Sequence, residues 1–147
     1  MDIIGDGSLR KEVEMTAKQS GLEGRVRVHG FLERKEVERI RQRAAAQIVP
    51  SEWFENSPLT ILEALSLGVP VIGSEAGGIP EIIDGNAGSM TFRSGDADAL
   101  SRALVSLWDR RGALDILRSE ARDAYQKRFS PDVHLKEYLR IVSSPDD

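Results

Sequence analysis

Gly68-Val69-Pro70-Val71-Ile72-Gly73-Ser74-Glu75-Ala76-Gly77-Gly78-Ile79-Pro80-Glu81 is the stretch whose reading decides the fold. Val69 to Ile72 is a short apolar run and reads as a strand. The Gly77-Gly78 pair turns the chain, and a short helix follows from near Pro80 to Asp84. Just upstream, residues 58–67 carry a helical pattern that closes at Gly68. Just downstream, Ser89 to Phe92 reads as a further strand. The same alternation extends to both sides. Ile3-Ile4 opens the chain as a strand, and Leu9, Val13 and Ala17 recur at helical spacing. Val26 and Val28 alternate with Arg25 and Arg27, residues 33–45 are helical, and Ile48-Val49-Pro50 is a brief strand. Leu100, Ala103, Leu104, Leu107 and Trp108 fit one helix face. Leu114, Leu117 and Ala121 mark another helix, and a last one spans about 132 to 142. Strand and helix alternate about five times, which predicts an α/β fold: a three-layer, Rossmann-like parallel sheet with helices on both faces.

The 147 residues suffice for about one domain. With 40% hydrophobic and 30% charged residues, the chain is neither disordered nor collagen-like. Twenty basic against 24 acidic residues give a net charge of -4, without the dense basic footprint of a nucleic-acid binder. Zero cysteines exclude disulfides, thiolate metal sites and a cysteine nucleophile, and suit a reducing, cytoplasmic setting. Two histidines, 105 positions apart at His29 and His134, argue against a histidine-rich metal site. No apolar run is long enough for a transmembrane segment.

In such sheets ligands sit at the carboxyl ends of the strands. The loop after Ile48-Val49 is the richest: Pro50-Ser51-Glu52-Trp53-Phe54-Glu55-Asn56-Ser57-Pro58-Leu59-Thr60-Ile61-Leu62-Glu63-Ala64. Asn56 or Ser57 suits a helix cap and Pro58 the first turn. The free N–H groups and the helix dipole there favour an anion such as a phosphate. Glu55 precedes this helix and Glu63 lies nearly two turns inside it, their backbones on the order of 10 Å apart. One carboxylate would accept hydrogen bonds from sugar hydroxyls, the other from ribose hydroxyls. The plainer alternative makes Glu63 a solvated helix residue and Glu55 a first-turn acid. Gly77 and Gly78 either bring backbone N–H groups up to a phosphate or simply make a tight turn. Gly5-Asp6-Gly7-Ser8 lacks the third glycine of a dinucleotide fingerprint, since position 10 is Arg10, and reads as a turn with Ser8 as cap. Val28-His29-Gly30-Phe31 ends a strand on the same rim, with His29 either facing a ligand or resting on the surface. Trp108, Phe129 and Tyr138 read as packing residues.

Taken in order, these segments resemble the C-terminal domain of retaining glycosyltransferases of the GT-B fold, in the large family four group. Ile4-Gly5-Asp6-Gly7-Ser8-Leu9-Arg10 is similar to the family's first glycine-rich segment. Glu55 and Glu63 match its E-x7-E motif, and Gly68-Val69-Pro70-Val71-Ile72 and Gly77-Gly78-Ile79-Pro80-Glu81 match the two blocks that follow. Asp84-Gly85 and Gly88 fit the next turn. The resemblance spans about residues 3–140. It implies a nucleotide-sugar donor, such as a UDP- or GDP-hexose, with no obligatory metal and no other cofactor. Glu63 would bind the ribose hydroxyls, and Glu55 would contact the transferred sugar as the catalytic residue. Asn56, Ser57, Pro58 and Leu59 would offer backbone N–H groups to the donor. Gly77 and Gly78 would lie near the sugar–phosphate end, and His29, Gly30 and Phe31 near the base.

The resemblance also implies departures. Residues 1–142 would form a partial donor-binding domain and 143–147 a disordered tail. The family's first strand, its diphosphate-clamping Arg and Lys, and its N-terminal acceptor domain would have no counterpart, leaving the fragment alone inactive. A strand absent from between Ile3-Ile4 and Ile48-Val49 would leave open backbone edges. The chain is then expected to self-associate, to exchange elements with a copy, or to close the gap by rearranging. The competing readings are a non-catalytic sugar-nucleotide-binding module completed by another chain, and an unrelated Rossmann-like cofactor domain.

Overall fold

The computed structural model describes residues 1–85 and 88–143. The chain divides into two compact units, Met1–Arg43 and Ala44–Asp147.

In the first unit, β1 (Asp2–Ile3) is followed by α1 (Arg10–Gln19), β2 (Arg27–Val28) and α2 (Arg34–Arg43). The two strands pair in parallel, Asp2 with Arg27 and Ile3 with Val28. Beyond the ladder the Gly5 N–H donates to the Gly30 carbonyl at 2.8 Å. Ser8 is not the cap of α1: Leu9 occupies that position and no side chain caps it. Arg10 reaches back to Asp6 at 2.8 Å and forward to Glu14 at 3.1 Å, so this glycine-rich turn is closed by its own ion pairs.

The second unit holds β3 (Gln47–Val49), α3 (Leu59–Ser66), β4 (Val71–Ser74), α4 (Ile79–Ile83), β5 (Met90–Phe92), α5 (Ala97–Asp109), α6 (Leu114–Arg128) and α7 (Pro131–Ser143). Its strands form a parallel sheet in the order β3-β4-β5. Central β4 is buried along its whole length. Side chains alternate across a strand, and both faces are covered accordingly. On one face Val71 joins Val49 of β3, Ile61 and Leu65 of α3, and Ile79 and Ile83 of α4. On the other, Ile72 meets Phe92, Leu107 of α5 and Leu117 of α6. Gly73 is needed on the first face, because a Cβ there would lie 2.5 Å from Ile83 Cδ1 and 2.6 Å from Ile79 Cγ2.

Arginines of α6 tie the helices of this unit together by satisfying carbonyls at helix ends. Arg122 donates to the Ser66 carbonyl at the end of α3, and Arg128 to the Glu81 carbonyl of α4 and that of Asp84. α3 and α6 approach closely at Gly68, where a Cβ would stand 2.9 Å from the Arg118 carbonyl oxygen.

The fold is α/β, with parallel sheets flanked by helices. Hydrogen bonding divides the strands into two sheets, where the alternation alone predicts one: β1 pairs with β2, and β3 with β4 and β5. The expected α5 face is also narrower. Leu100, Ala103 and Leu107 turn inward, whereas Trp108 is exposed and carries the Arg111 guanidinium 4.6 Å from its ring centroid. Tyr138 is exposed too, while Phe129 packs against the core. Ser143 is the last residue of α7, and the rest of the predicted tail, residues 144–147, lies outside the described residues. Among the described residues no helix is long and apolar enough to cross a membrane.

Candidate functional site

Because β3, β4 and β5 run parallel, the loops that leave them emerge at one rim of their sheet. That is where open α/β sheets bind ligands. The loop after β3 carries Glu55, and the one after β4 carries Gly77 and Gly78. The Gly78 N–H donates to the Glu55 carbonyl at 2.7 Å. A Cβ on Gly77 would meet the Glu55 carbonyl oxygen at 2.3 Å and its nitrogen at 2.7 Å, and one on Gly78 the Asn56 carbonyl oxygen at 2.2 Å. Gly77 also has φ of +58°, which disfavours any residue with a Cβ. The glycine pair therefore does more than make a turn. The backbone it lets approach is the chain's own Glu55-Asn56, and the Gly78 N–H is engaged there rather than open to a phosphate.

Serine hydroxyls complete the seating of this loop. Ser74, fully buried at the end of β4, donates from Oγ to the Ser51 carbonyl at 2.6 Å. Ser94, in the loop after β5, donates to the same carbonyl at 3.1 Å. Ser51 in turn points its own hydroxyl at Glu55 Oε1 from 3.5 Å, the outer edge of hydrogen-bond reach. The sequence reading missed these three serines. The available signal was Ser74, a polar residue closing an otherwise apolar run.

α3 begins at this rim. Its cap is neither Asn56 nor Ser57, both exposed, but Pro58, which is extended and buried and has no side-chain cap bond. Pro58 has no N–H and cannot offer one to a donor. Leu59 is the first helical residue and faces solvent. Ile61, Ala64 and Leu65 are the buried face of α3. At 100° per residue Glu63 lies on the opposite side, on the same stripe as Leu59 four residues earlier. Glu55 and Glu63 thus flank the start of one helix, both partly exposed.

His29, Gly30 and Phe31 belong to the other unit. His29 Nε2 sits 2.8 Å from Asp2 Oδ1, across the two-stranded ladder. That hydrogen bond, and next the histidine's charge, hold the Asp2 carboxyl below its ordinary range against the opposing effect of burial. A carboxyl depressed in the folded state stabilises above its unfolded pKa of about 3.9, and that contribution is lost as pH falls through the lower folded value. We expect His29→Ala to raise the Asp2 midpoint in an NMR carboxyl titration; an unmoved midpoint would show that the pair is not formed. Gly30 is buried at φ of +71°, with Arg10 Nη1 2.9 Å from where its Cβ would be. Phe31 is 84% exposed. Among the described residues no three His, Asp or Glu side chains stand together as a metal site.

The pattern of the family described as "Glycosyl transferases group 1" matches residues 1–127. The amylovoran biosynthesis glycosyltransferase AmsK of Erwinia amylovora is 32% identical over 147 residues, covering 95% of this chain and 36% of AmsK. The structure of Anabaena Alr3699/HepE in complex with UDP superposes with a TM-score of 0.83 at 21% identity, covering 98% of this chain and 40% of HepE. HepE in complex with UDP-glucose gives a TM-score of 0.77 at 21% identity, with 98% and 40% covered. At such identity the likeness to HepE is one of fold. The chain spans 36% and 37% of the length of AmsK and of a 2-deoxystreptamine N-acetyl-D-glucosaminyltransferase of Niallia circulans, and 16% to 35% of six further curated relatives.

Proposed function

Since this chain belongs to the glycosyl transferases group 1 family, we propose that it binds the nucleotide-sugar donor of a retaining glycosyltransferase that moves a hexose from a nucleoside diphosphate to an acceptor. The observation that carries this reading is the placement of Glu55 and Glu63 around the start of α3, at the rim where three strand-end loops meet. Glu63 accepts hydrogen bonds from the two ribose hydroxyls. Glu55, seated by the glycine pair, contacts the transferred sugar. The start of α3 presents positive potential to the diphosphate between them.

In the proposed reaction the bond from the sugar's anomeric carbon to the diphosphate breaks, and the acceptor oxygen bonds to that carbon on the same face. The acceptor's proton passes to the departing phosphate. Negative charge grows on the leaving group, and a helix N-terminus already aimed at it lowers the barrier without reorganising. Donor binding requires no metal in this proposal. Acceptor recognition falls to a second, acceptor-binding part in the same or another chain, so transfer is a property of the two together.

Titration calorimetry with UDP, GDP and ADP, each alone and as its glucose or mannose conjugate, tests the reading. One nucleotide should bind, and its sugar conjugate should bind more tightly. Glu55→Ala should remove most of the sugar's increment, about tenfold for one charged hydrogen bond, and leave the bare nucleotide unchanged. Equal losses for nucleotide and conjugate would contradict the division of roles. Binding of none of the ligands by the native chain would refute the function.

A further inference from the structure

The Ser51 carbonyl is an unusual meeting point. It accepts from Ser74 Oγ at 2.6 Å and from Ser94 Oγ at 3.1 Å, so both lone pairs are used, by hydroxyls from the end of β4 and from the loop after β5. Ser74 is wholly buried on the central strand, between Gly73 and the Glu75 N–H that donates to the Phe92 carbonyl at 2.8 Å. A hydroxyl in such a place is costly unless bonded, so the bond it donates fixes where the Ser51 carbonyl lies. Four residues on, the same loop is held again, by the Gly78 N–H on the Glu55 carbonyl at 2.7 Å. Ser51 is therefore pinned from β4 and from the loop after β5, Glu55 from the turn after β4, and Ser51 Oγ stands 3.5 Å from Glu55 Oε1 between the two pins. Trp53 and Phe54, which lie between them in the chain, are 84% and 93% exposed and contribute no packing of their own. The loop's conformation thus depends on these few polar contacts rather than on burial.

We propose that Ser74 and Ser94 are positioning residues that set the orientation of Glu55 and thereby the selectivity for a sugar-bearing nucleotide over the bare nucleotide. The proposal rests on the donor-binding reading above for its second half only. Neither serine touches the ligand. Each acts through the Ser51 carbonyl on the loop that delivers the Glu55 carboxylate. Glu63 stands on α3, whose buried face is anchored independently in the core by Ile61, Ala64 and Leu65. Loosening the loop therefore changes the sugar end of the site and spares the ribose end.

Two variants and two readouts test this on the full chain. In the absence of ligand, Ser74→Ala and Ser94→Ala should each speed hydrogen exchange of the Gly78 amide, by about tenfold for loss of one neutral hydrogen bond from the clamp. In calorimetry each should reduce the ratio of UDP-glucose to UDP affinity severalfold, with UDP affinity unchanged. Ser74→Thr, which keeps the hydroxyl, should restore the ratio. A merely structural role would lower the melting temperature without moving the ratio. Ser94 lies in a partly exposed loop, so its variant decides the matter even where Ser74→Ala does not fold. Unchanged Gly78 exchange in the folded variants, or equal losses of UDP and UDP-glucose, would overturn the proposal. Where the native chain binds the GDP or ADP pair instead, the ratio is read on that pair; should it bind none of the three, the donor-binding reading falls, while the exchange experiment still decides whether the clamp exists.

Discussion

Gly77→Ala is expected to be the most damaging single substitution in the loops of the second unit. Two independent effects add at this position. The first is conformational: with φ at +58° the residue sits in the left-handed region, which costs a non-glycine residue about 1 kcal/mol or more. The second is steric. The new Cβ would lie 2.3 Å from the Glu55 carbonyl oxygen and 2.7 Å from its nitrogen. Both are backbone atoms, which cannot rotate away as a side chain does, so the Glu55 segment must move. Forced repacking of that kind costs about 1–3 kcal/mol. The sum, about 2–4 kcal/mol, lowers the melting temperature of a unit this size by roughly 10–20 °C. Gly85→Ala is the control that separates the two effects. Its φ is +73°, but the nearest atom to a Cβ is Arg128 Nη1 at 3.9 Å. Only the conformational cost of about 1 kcal/mol should then appear. Equal melting temperatures for the two variants would show that Gly77 does not bear on Glu55.

Glu63→Ala should have the opposite profile: a large loss of ligand affinity with little loss of stability. Glu63 lies on the side of α3 away from Ile61, Ala64 and Leu65, and alanine is the best helix former, so stability should change by less than about 1 kcal/mol. If its carboxylate accepts from both ribose hydroxyls, two charge-assisted hydrogen bonds are lost. Each contributes about 1.5–3 kcal/mol, so the nucleotide diphosphate should bind at least about a hundredfold more weakly. The same factor should appear for the sugar conjugate, because the ribose is common to both. Calorimetry alongside thermal denaturation gives both quantities, and a nucleotide affinity unchanged in a folded Glu63→Ala chain would remove Glu63 from the site.

The sequence was most readable where burial is one-sided and periodic. Leu107 on α5, Leu117 and Ala121 on α6, and the apolar run of β4 all lie where hydrophobic spacing places them, because their burial is nearly complete. Helix starts were read less well. Ser8, Asn56 and Ser57 are all good capping residues, yet Leu9 and Pro58 occupy the caps, since the adjoining turns are already held by other contacts: the Arg10–Asp6 pair in one case and the Gly78–Glu55 bond in the other. The pairing of strands into two sheets was not legible, because hydrophobic alternation carries the existence of a strand but not its neighbour. At the candidate site, composition and spacing pointed to Glu55, Glu63 and the glycine pair. What no local pattern contained was the partner of each: that Gly77 and Gly78 close on Glu55, that Ser74 and Ser94 meet at one carbonyl, and that His29 answers Asp2 from 27 residues away. Such partnerships are properties of the topology.

The most direct measurement is a crystal structure of this chain with UDP-glucose. The account predicts that both ribose hydroxyls lie within about 3.2 Å of the Glu63 carboxylate, with the glucose against Glu55 and the diphosphate at the start of α3. A ligand seated on other elements, with both carboxylates turned away from it, would contradict the account at its centre.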